Sequence, residues 1–139
     1  MAGAIYLADT TVYVLQARND QVRRRFDDLL LEGRLAACQM TALEYLNNAP
    51  DPRRYEQMWT AIHGQRWIDV STDAMNRALG VHRLLARMSQ HRLFALPDLL
   101  IAAAAELNGA TVLHYDDDYD RIAAITGQPV EWIVPRGSV

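Results

Sequence analysis

Short apolar runs alternate along this chain with longer stretches in which apolar residues recur every three or four positions. That is the pattern of a mainly parallel sheet covered by helices, an α/β domain. The strand candidates are AIYLA (4–8), LAACQ (35–39), WIDV (67–70), TVLHY (111–115) and VEWIV (130–134). Helices are expected over 12–16 and over 20–31, the latter stopped by Gly33. Another opens at Thr41 and runs through Tyr45, and a further one covers 53–64 after the Pro50-Asp51-Pro52 break. Ser71 can cap a long helix reaching about Gln90, with Ala74, Ala78, Val81, Leu85 and Met88 as its apolar stripe. Leu96-Pro97 begins the next helix, which stops at Asn108-Gly109, and residues 116–126 form a last one ended by Gly127. No repeat, low-complexity tract or linker interrupts the pattern, so residues 1–139 read as a single domain. The order of elements suits a doubly wound five-stranded sheet of order 3-2-1-4-5. In such sheets ligands bind beyond the carboxyl ends of the strands where the winding reverses, here between the first and fourth strands.

Against this pattern four carboxylates stand out. Asp9 ends the first strand, Glu44 sits among apolar neighbours in TALEYL, Asp98 lies in the first turn of LPDLLIAAAAEL, and Asp116 ends the fourth strand. Each has an ordinary explanation taken singly. Asp9 can cap a helix, Asp98 can answer a helix dipole, and Glu44 can be a wet surface residue. The run Asp116, Asp117, Asp118 and Asp120 is harder to explain so, because one helix start needs one cap and neighbouring carboxylates repel. Asp9 and Asp116 should face each other across the crevice, and carboxylates gathered in apolar surroundings call for a compensating cation.

Composition narrows the chemistry. Half the residues are apolar, which suits a soluble domain, and no apolar run approaches the ~20 residues of a membrane span. MAGAIYLAD has no basic leader region, so no secretory signal is expected, and the single Cys38 is expected to be a buried thiol in a reducing cytoplasm. Net charge is −3, and all 14 basic residues are arginine. The absence of lysine argues against a Walker-type phosphate loop, a receiver domain or a haloacid-dehalogenase-like phosphatase. His63, His82, His91 and His114 show no zinc spacing, and His114, inside a strand, is expected in the core. Arg23-Arg24-Arg25 read as a solvated face, although a phosphate contact is open to them. Arg92, just before the Asp98 helix, is a substrate-contact candidate. Tyr13, Tyr45 and Tyr115 adjoin acidic positions and are expected to pack in the core, as is Trp132, with Arg136-Gly137-Ser138 as a tail.

The segments LADTTVYV, TALEYLNNA, LPDLLIAAAAELNGATVLHYDDDYDRIA and QPVEWIVPRG resemble PIN-domain ribonucleases, in particular the VapC toxins of bacterial toxin–antitoxin pairs. The resemblance spans nearly the whole chain. It implies a PIN-like fold in which Asp9, Glu44, Asp98 and Asp116 form an acidic quartet with Asp118 nearby, and in which Thr10 orients the first aspartate. Asp117 and Asp120 match no required position. It further implies a magnesium-dependent endoribonuclease, with manganese as a possible substitute, acting on single-stranded or looped RNA. A homodimer inhibited by a VapB-like antitoxin, with no membrane association, follows from the same likeness. An arginine or apolar plug of that antitoxin would occupy the crevice, and the helices over 20–31 and 41–64 would supply its groove.

Magnesium is commonly held by one or two direct carboxylates and keeps several waters. Asp9, Asp98 and Asp116 are therefore the expected ligands, while Glu44 and Asp118 would hold waters or position the nucleophile. The rival readings are a catalytically silent RNA-binding or interaction module of the same fold, and a phosphatase phosphorylated at Asp9. A cation bound only by the native state adds about 2.7 kcal/mol at a hundredfold excess over its dissociation constant. Millimolar magnesium or manganese should accordingly raise the melting temperature, and Asp9→Asn should blunt the rise; calorimetric scans with and without EDTA measure both.

Overall fold

A computed structural model describes residues 3–139. Five parallel strands run through it: β1 (Tyr6–Ala8), β2 (Leu35–Ala37), β3 (Arg66–Trp67), β4 (Thr111–His114) and β5 (Val130–Trp132). They are ordered β3-β2-β1-β4-β5, as expected from the sequence. Tyr6 and Leu7 of β1 pair with Leu35 and Ala36 of β2, and Tyr6, Leu7 and Ala8 pair with Thr111, Val112 and Leu113 of β4.

Alternation along the strands divides the core in two. Leu7, Ala36 and Val112 point to one face, where they meet α5 (Thr72–Arg87), α6 (Leu96–Leu107) and α7 (Asp118–Thr126). Tyr6, Ala8, Leu35, Ala37 and Leu113 point to the other. That face is covered by α1 (Thr10–Gln16), α2 (Asp20–Leu31), α3 (Gln39–Leu46) and α4 (Pro52–His63). Both faces being dry explains why the strands are so apolar. Ala102 to Ala105 of α6 are nearly or fully buried, and their small side chains let that helix lie close to the sheet.

Several boundaries differ from the sequence reading for identifiable reasons. The α1 helix begins at Thr10 rather than Val12, because Asp9 itself is the cap and accepts from the Thr11 amide. The α3 helix begins at Gln39, two residues before Thr41; Thr41 is fully buried inside it, its hydroxyl 3.2 Å from the Cys38 sulfur. The α5 helix ends at Arg87, and Ser89 adopts a left-handed φ of 56°, so Met88 falls off the apolar stripe and is half exposed. The strand β3 is only Arg66–Trp67 at the sheet edge. There Trp67 ends a stack of rings climbing α4 through His63 and Trp59 to Tyr55.

Two further expectations are corrected. Arg25 does not belong to a solvated face: its Nη1 donates to the carbonyls of Trp132 and Ile133, each at 2.7 Å, and its Nη2 pairs with Glu131. It thus ties α2 to the far edge of the sheet. Trp132 is only half-buried, with its indole N–H on Asp120 at 3.1 Å, and the tail is anchored by Arg136 on Asp117 and by the Gly137 amide on the Tyr115 hydroxyl. Arg25→Ala strips two carbonyls and a carboxylate of their donor, and should cost about 1–3 kcal/mol in urea unfolding. Arg23→Ala and Arg24→Ala, at exposed positions, should stay within about 0.5 kcal/mol.

Candidate active site

The winding reversal places the ends of β1 and β4 side by side. The Asp9 amide donates to the Leu113 carbonyl at 2.9 Å, which locks the first residue beyond β1 onto β4. Asp9 is only 3% exposed. As the cap of α1 it accepts at Oδ2 from the Thr11 amide (3.1 Å) and the Thr11 hydroxyl (2.8 Å). The same Thr11 hydroxyl accepts from the Tyr115 amide at 3.0 Å, so one small side chain joins the aspartate to the loop after β4. Asp9 Oδ1 accepts from the Tyr119 hydroxyl at 2.7 Å, and that hydroxyl lies 3.3 Å from Asp98 Oδ1.

Asp98 stands in the first turn of α6, and Asp116 and Asp118 on the loop and first turn leading into α7. Asp116 Oδ1 accepts from the Asp118 amide at 2.9 Å, folding this loop back on itself. The buried His114 accepts at Nδ1 from the Asp116 amide at 3.1 Å, which leaves its proton on Nε2. Among the described residues Nε2 has no hydrogen-bond partner, and it lies 3.8 Å from Asp120 Oδ1; burial holds the ring below its ordinary pKa. Neutral His114 therefore acts as a core acceptor that fixes the Asp116 backbone.

Carboxylate oxygens of Asp98, Asp116 and Asp118 come within 4.8 Å of one another. Glu44 reaches the crevice from α3, where its Oε1 accepts from the Thr10 hydroxyl at 2.7 Å. The hydroxyls are thus allotted differently from the expectation: Thr11, not Thr10, orients Asp9, while Thr10 orients Glu44. The helix start decides this, since the second helical residue turns back to the cap and the first faces the neighbouring helix. Arg92 is exposed in the turn before α6 and makes no ion pair with these carboxylates among the described residues.

The electrostatics show how tightly these groups converge. Asp98 is pushed up to about 7 by burial first, then by the charges of Asp9 and Asp116 and, more weakly, Glu44. Asp118 is raised by burial and by Asp116, and Tyr119 is raised by burial together with Asp9 and Asp98. Arg121 comes within 3.8 Å of Asp118 but is largely exposed, and offsets little of this charge. An all-oxygen, mostly half-buried and under-compensated donor set fits a hard divalent cation.

Residues 6–125 match the PIN domain family. The chain is 43% identical over 134 residues to Ribonuclease VapC51 of Mycobacterium tuberculosis, covering 96% of each. To Ribonuclease VapC18 of that organism it is 41% identical over 137 residues, covering 97% of this chain and 99% of the relative. This chain is a PIN domain of the VapC family. Its fold is also that of the DNA-bound VapBC structure from Salmonella typhimurium, with a TM-score of 0.74 at 19% identity over 95% of this chain and 100% of the other. A VapBC structure from Mycobacterium tuberculosis aligns with a TM-score of 0.61 at 24% identity, over 96% and 100%.

Two residues of this PIN domain escaped the sequence reading, Thr11 and Tyr119. A signal existed for Tyr119: three residues after Asp116 and three before Ile122 it falls on the buried face of α7, and a buried tyrosine needs an acceptor for its hydroxyl. Nothing in sequence separates Thr11 from Thr10.

The raised Asp98 has a consequence for stability in EDTA. The unfolded carboxyl gives up its proton near 3.8 and the folded one near 7. Between those values the native state holds the extra proton, so stability falls as pH rises through the window. Below it the penalty vanishes, and above it the penalty is complete. His114 works the other way, because the unfolded chain takes up a proton as pH falls past 6.5. The readout is therefore the difference between wild type and Asp98→Asn in urea unfolding, which should grow in the variant's favour from about pH 4 to 7. Tyr119→Phe, which removes a hydrogen bond to the carboxylate, should move the Asp98 midpoint further up in a carboxyl NMR titration.

Proposed function

We propose that this protein is a metal-dependent endoribonuclease, the toxin half of a toxin–antitoxin pair, whose resident cation is magnesium, with manganese able to replace it. The observation that carries this reading is the convergence of Asp98, Asp116 and Asp118 within 4.8 Å at the winding reversal, with Asp9 and Glu44 adjoining. Support also comes from relatives named as ribonucleases that match almost the whole chain.

Asp9, Asp98 and Asp116 would hold the cation, with Asp118 within 4.8 Å of the latter two and Asp9 adjoining Asp98 through the Tyr119 hydroxyl. Bound there, a divalent cation would offset the charge that builds on the phosphoryl oxygens and make a water a better nucleophile. Glu44, held at Oε1 by Thr10 and close enough for its charge to act on Asp98, would orient that water and accept its proton. Thr11 and Tyr119 keep Asp9 from turning away, which matters because small misplacements of catalytic groups are costly. Looped or single-stranded RNA suits an open crevice at the carboxyl ends of the central strands, since its phosphates are accessible and its bases can be splayed.

The partner in this reading is a VapB-like antitoxin, and the toxin itself is a cytoplasmic homodimer. VapBC assemblies among the fold relatives support that choice of partner. A guanidinium or an apolar side chain entering the acidic crevice would inhibit by occupying the carboxylates. Exposed Leu31 on α2 and Trp59 on α4 offer apolar surface for the rest of the contact. Among the described residues no helix is long and apolar enough to cross a membrane.

Purified protein should cleave labelled RNA in magnesium and not in EDTA, and should leave a phosphomonoester intact. Asp98→Ala and Asp116→Asn should each lower the rate by about a hundredfold or more without a comparable loss of fold, judged by circular dichroism. Cleavage that persists in EDTA, or that is indifferent to both substitutions, would remove the acidic cluster from the chemistry.

A further inference from the structure

Beside the acidic cluster lies a groove of about 320 Å³ between α1, α3 and the start of α4. Thr10, whose hydroxyl holds Glu44, is on its wall, so groove and cluster are contiguous. Asn48, one helical turn past Glu44 and bonded to the Glu44 carbonyl at 3.0 Å, continues the same wall. At the rim stand Arg18 and Arg54. Both are exposed, and neither makes an ion pair among the described residues. The lining holds no carboxylate, in a chain of net charge −3. Its floor is apolar and aromatic, with Tyr45 braced on Tyr13 at 5.1 Å and Met58 beneath.

Neighbouring grooves differ in kind. The one beside β5 contains Arg25, which is already committed to Glu131 and to two carbonyls. The one between α5 and α6 is almost wholly apolar.

An acidic catalytic crevice repels the phosphates that flank the one being cut. A strand of RNA can be held there only if cations meet those flanking phosphates nearby. The α1 helix carries the groove about 9 Å from Thr10 to Gln16 at the helical rise per residue, and Arg18 stands just beyond its end, outside the acidic cluster. Guanidiniums without a carboxylate partner, Arg54 touching only the Gln57 amide oxygen at 3.4 Å, over an aromatic floor form the usual composition of a single-strand track.

Resting on the ribonuclease reading above, we propose that this groove carries the single-stranded RNA away from the cleavage site, with Arg18 and Arg54 gripping flanking phosphates. The groove favours RNA over a protein partner because its charge complements phosphate and its wall includes Thr10, the residue that holds Glu44.

The test measures binding and cleavage separately. Anisotropy of a short labelled single-stranded RNA is titrated in EDTA across about 50–200 mM salt for wild type, Arg18→Gln/Arg54→Gln and Arg18→Lys/Arg54→Lys. Arg83→Gln/Arg87→Gln, at exposed positions on α5 across the sheet, is the control. The glutamine pair should weaken binding roughly tenfold per lost guanidinium. It should also flatten the log–log salt slope by about 1.4, which is about 0.7 per phosphate contact on a single strand. The lysine pair should keep the slope, and the control should match wild type. In magnesium the glutamine pair should raise KM with kcat little changed.

An unchanged slope and KM in the glutamine pair would overturn the proposal. Unchanged RNA binding together with lost binding of an antitoxin would do so too, and would assign the groove to a protein. An equal loss in the control would reduce the effect to net charge and end the proposal as well. RNA that binds with the predicted slope but is never cut in magnesium would leave the groove standing and remove the nuclease reading instead.

Discussion

Carboxylates that repel one another, yet are held together at the edge of a dry core, are the constraint on which this molecule is organised. Burial first, then the charges of Asp9 and Asp116 and more weakly Glu44, raise the energy of Asp98's charged form. Such an arrangement persists only when the scaffold over-determines it. Here the scaffold is a parallel sheet covered on both faces. Asp9 is locked by backbone to β4, by hydroxyls to Thr11 and Tyr119, and by its own role as a helix cap. The loop that carries Asp116 is fixed from beneath by a neutral, buried His114.

The two helical layers divide the labour. The α1–α4 layer supplies Glu44 with its Thr10 support and the cationic groove beyond it. The α5–α7 layer supplies Asp98, Asp118 and Tyr119. Each layer rests on its own set of strand side chains. Arg25 and the anchored C-terminal tail brace the β5 edge, far along the sheet from the aromatic stack that closes the β3 edge. Arg25, Arg34, Arg77, Arg121 and Arg136 are engaged in ion pairs, whereas among the described residues Arg18 and Arg54 beside the crevice have no carboxylate partner.

Much of this was legible in the chain, and for local reasons. Strand order and parallel pairing followed from short apolar runs separated by helical periods, because a strand buried on both faces cannot alternate. The positions of Asp9, Asp98 and Asp116 were readable because strand ends and helix starts leave signals in sequence: the acidic residue after an apolar run, the proline at a first turn, the glycine after a last one. Glu44 was readable only as an anomaly among apolar neighbours.

What the fold alone decided is pairing across distance. Nothing local distinguishes Arg25, which clips α2 to β5, from Arg24 beside it, since the difference is which carbonyls lie opposite. Thr10 and Thr11 are chemically identical, and they part company only when a helix start turns one hydroxyl to Asp9 and the other to Glu44. Tyr119 gained its role from a separation of 110 residues that tertiary packing reduced to 2.7 Å. Patterns along the chain thus determined which elements form and where their acidic ends fall, because those depend on residues a few positions apart. Partners and protonation were left to the folded arrangement, because hydrogen bonds and charge repulsion depend on distance in space.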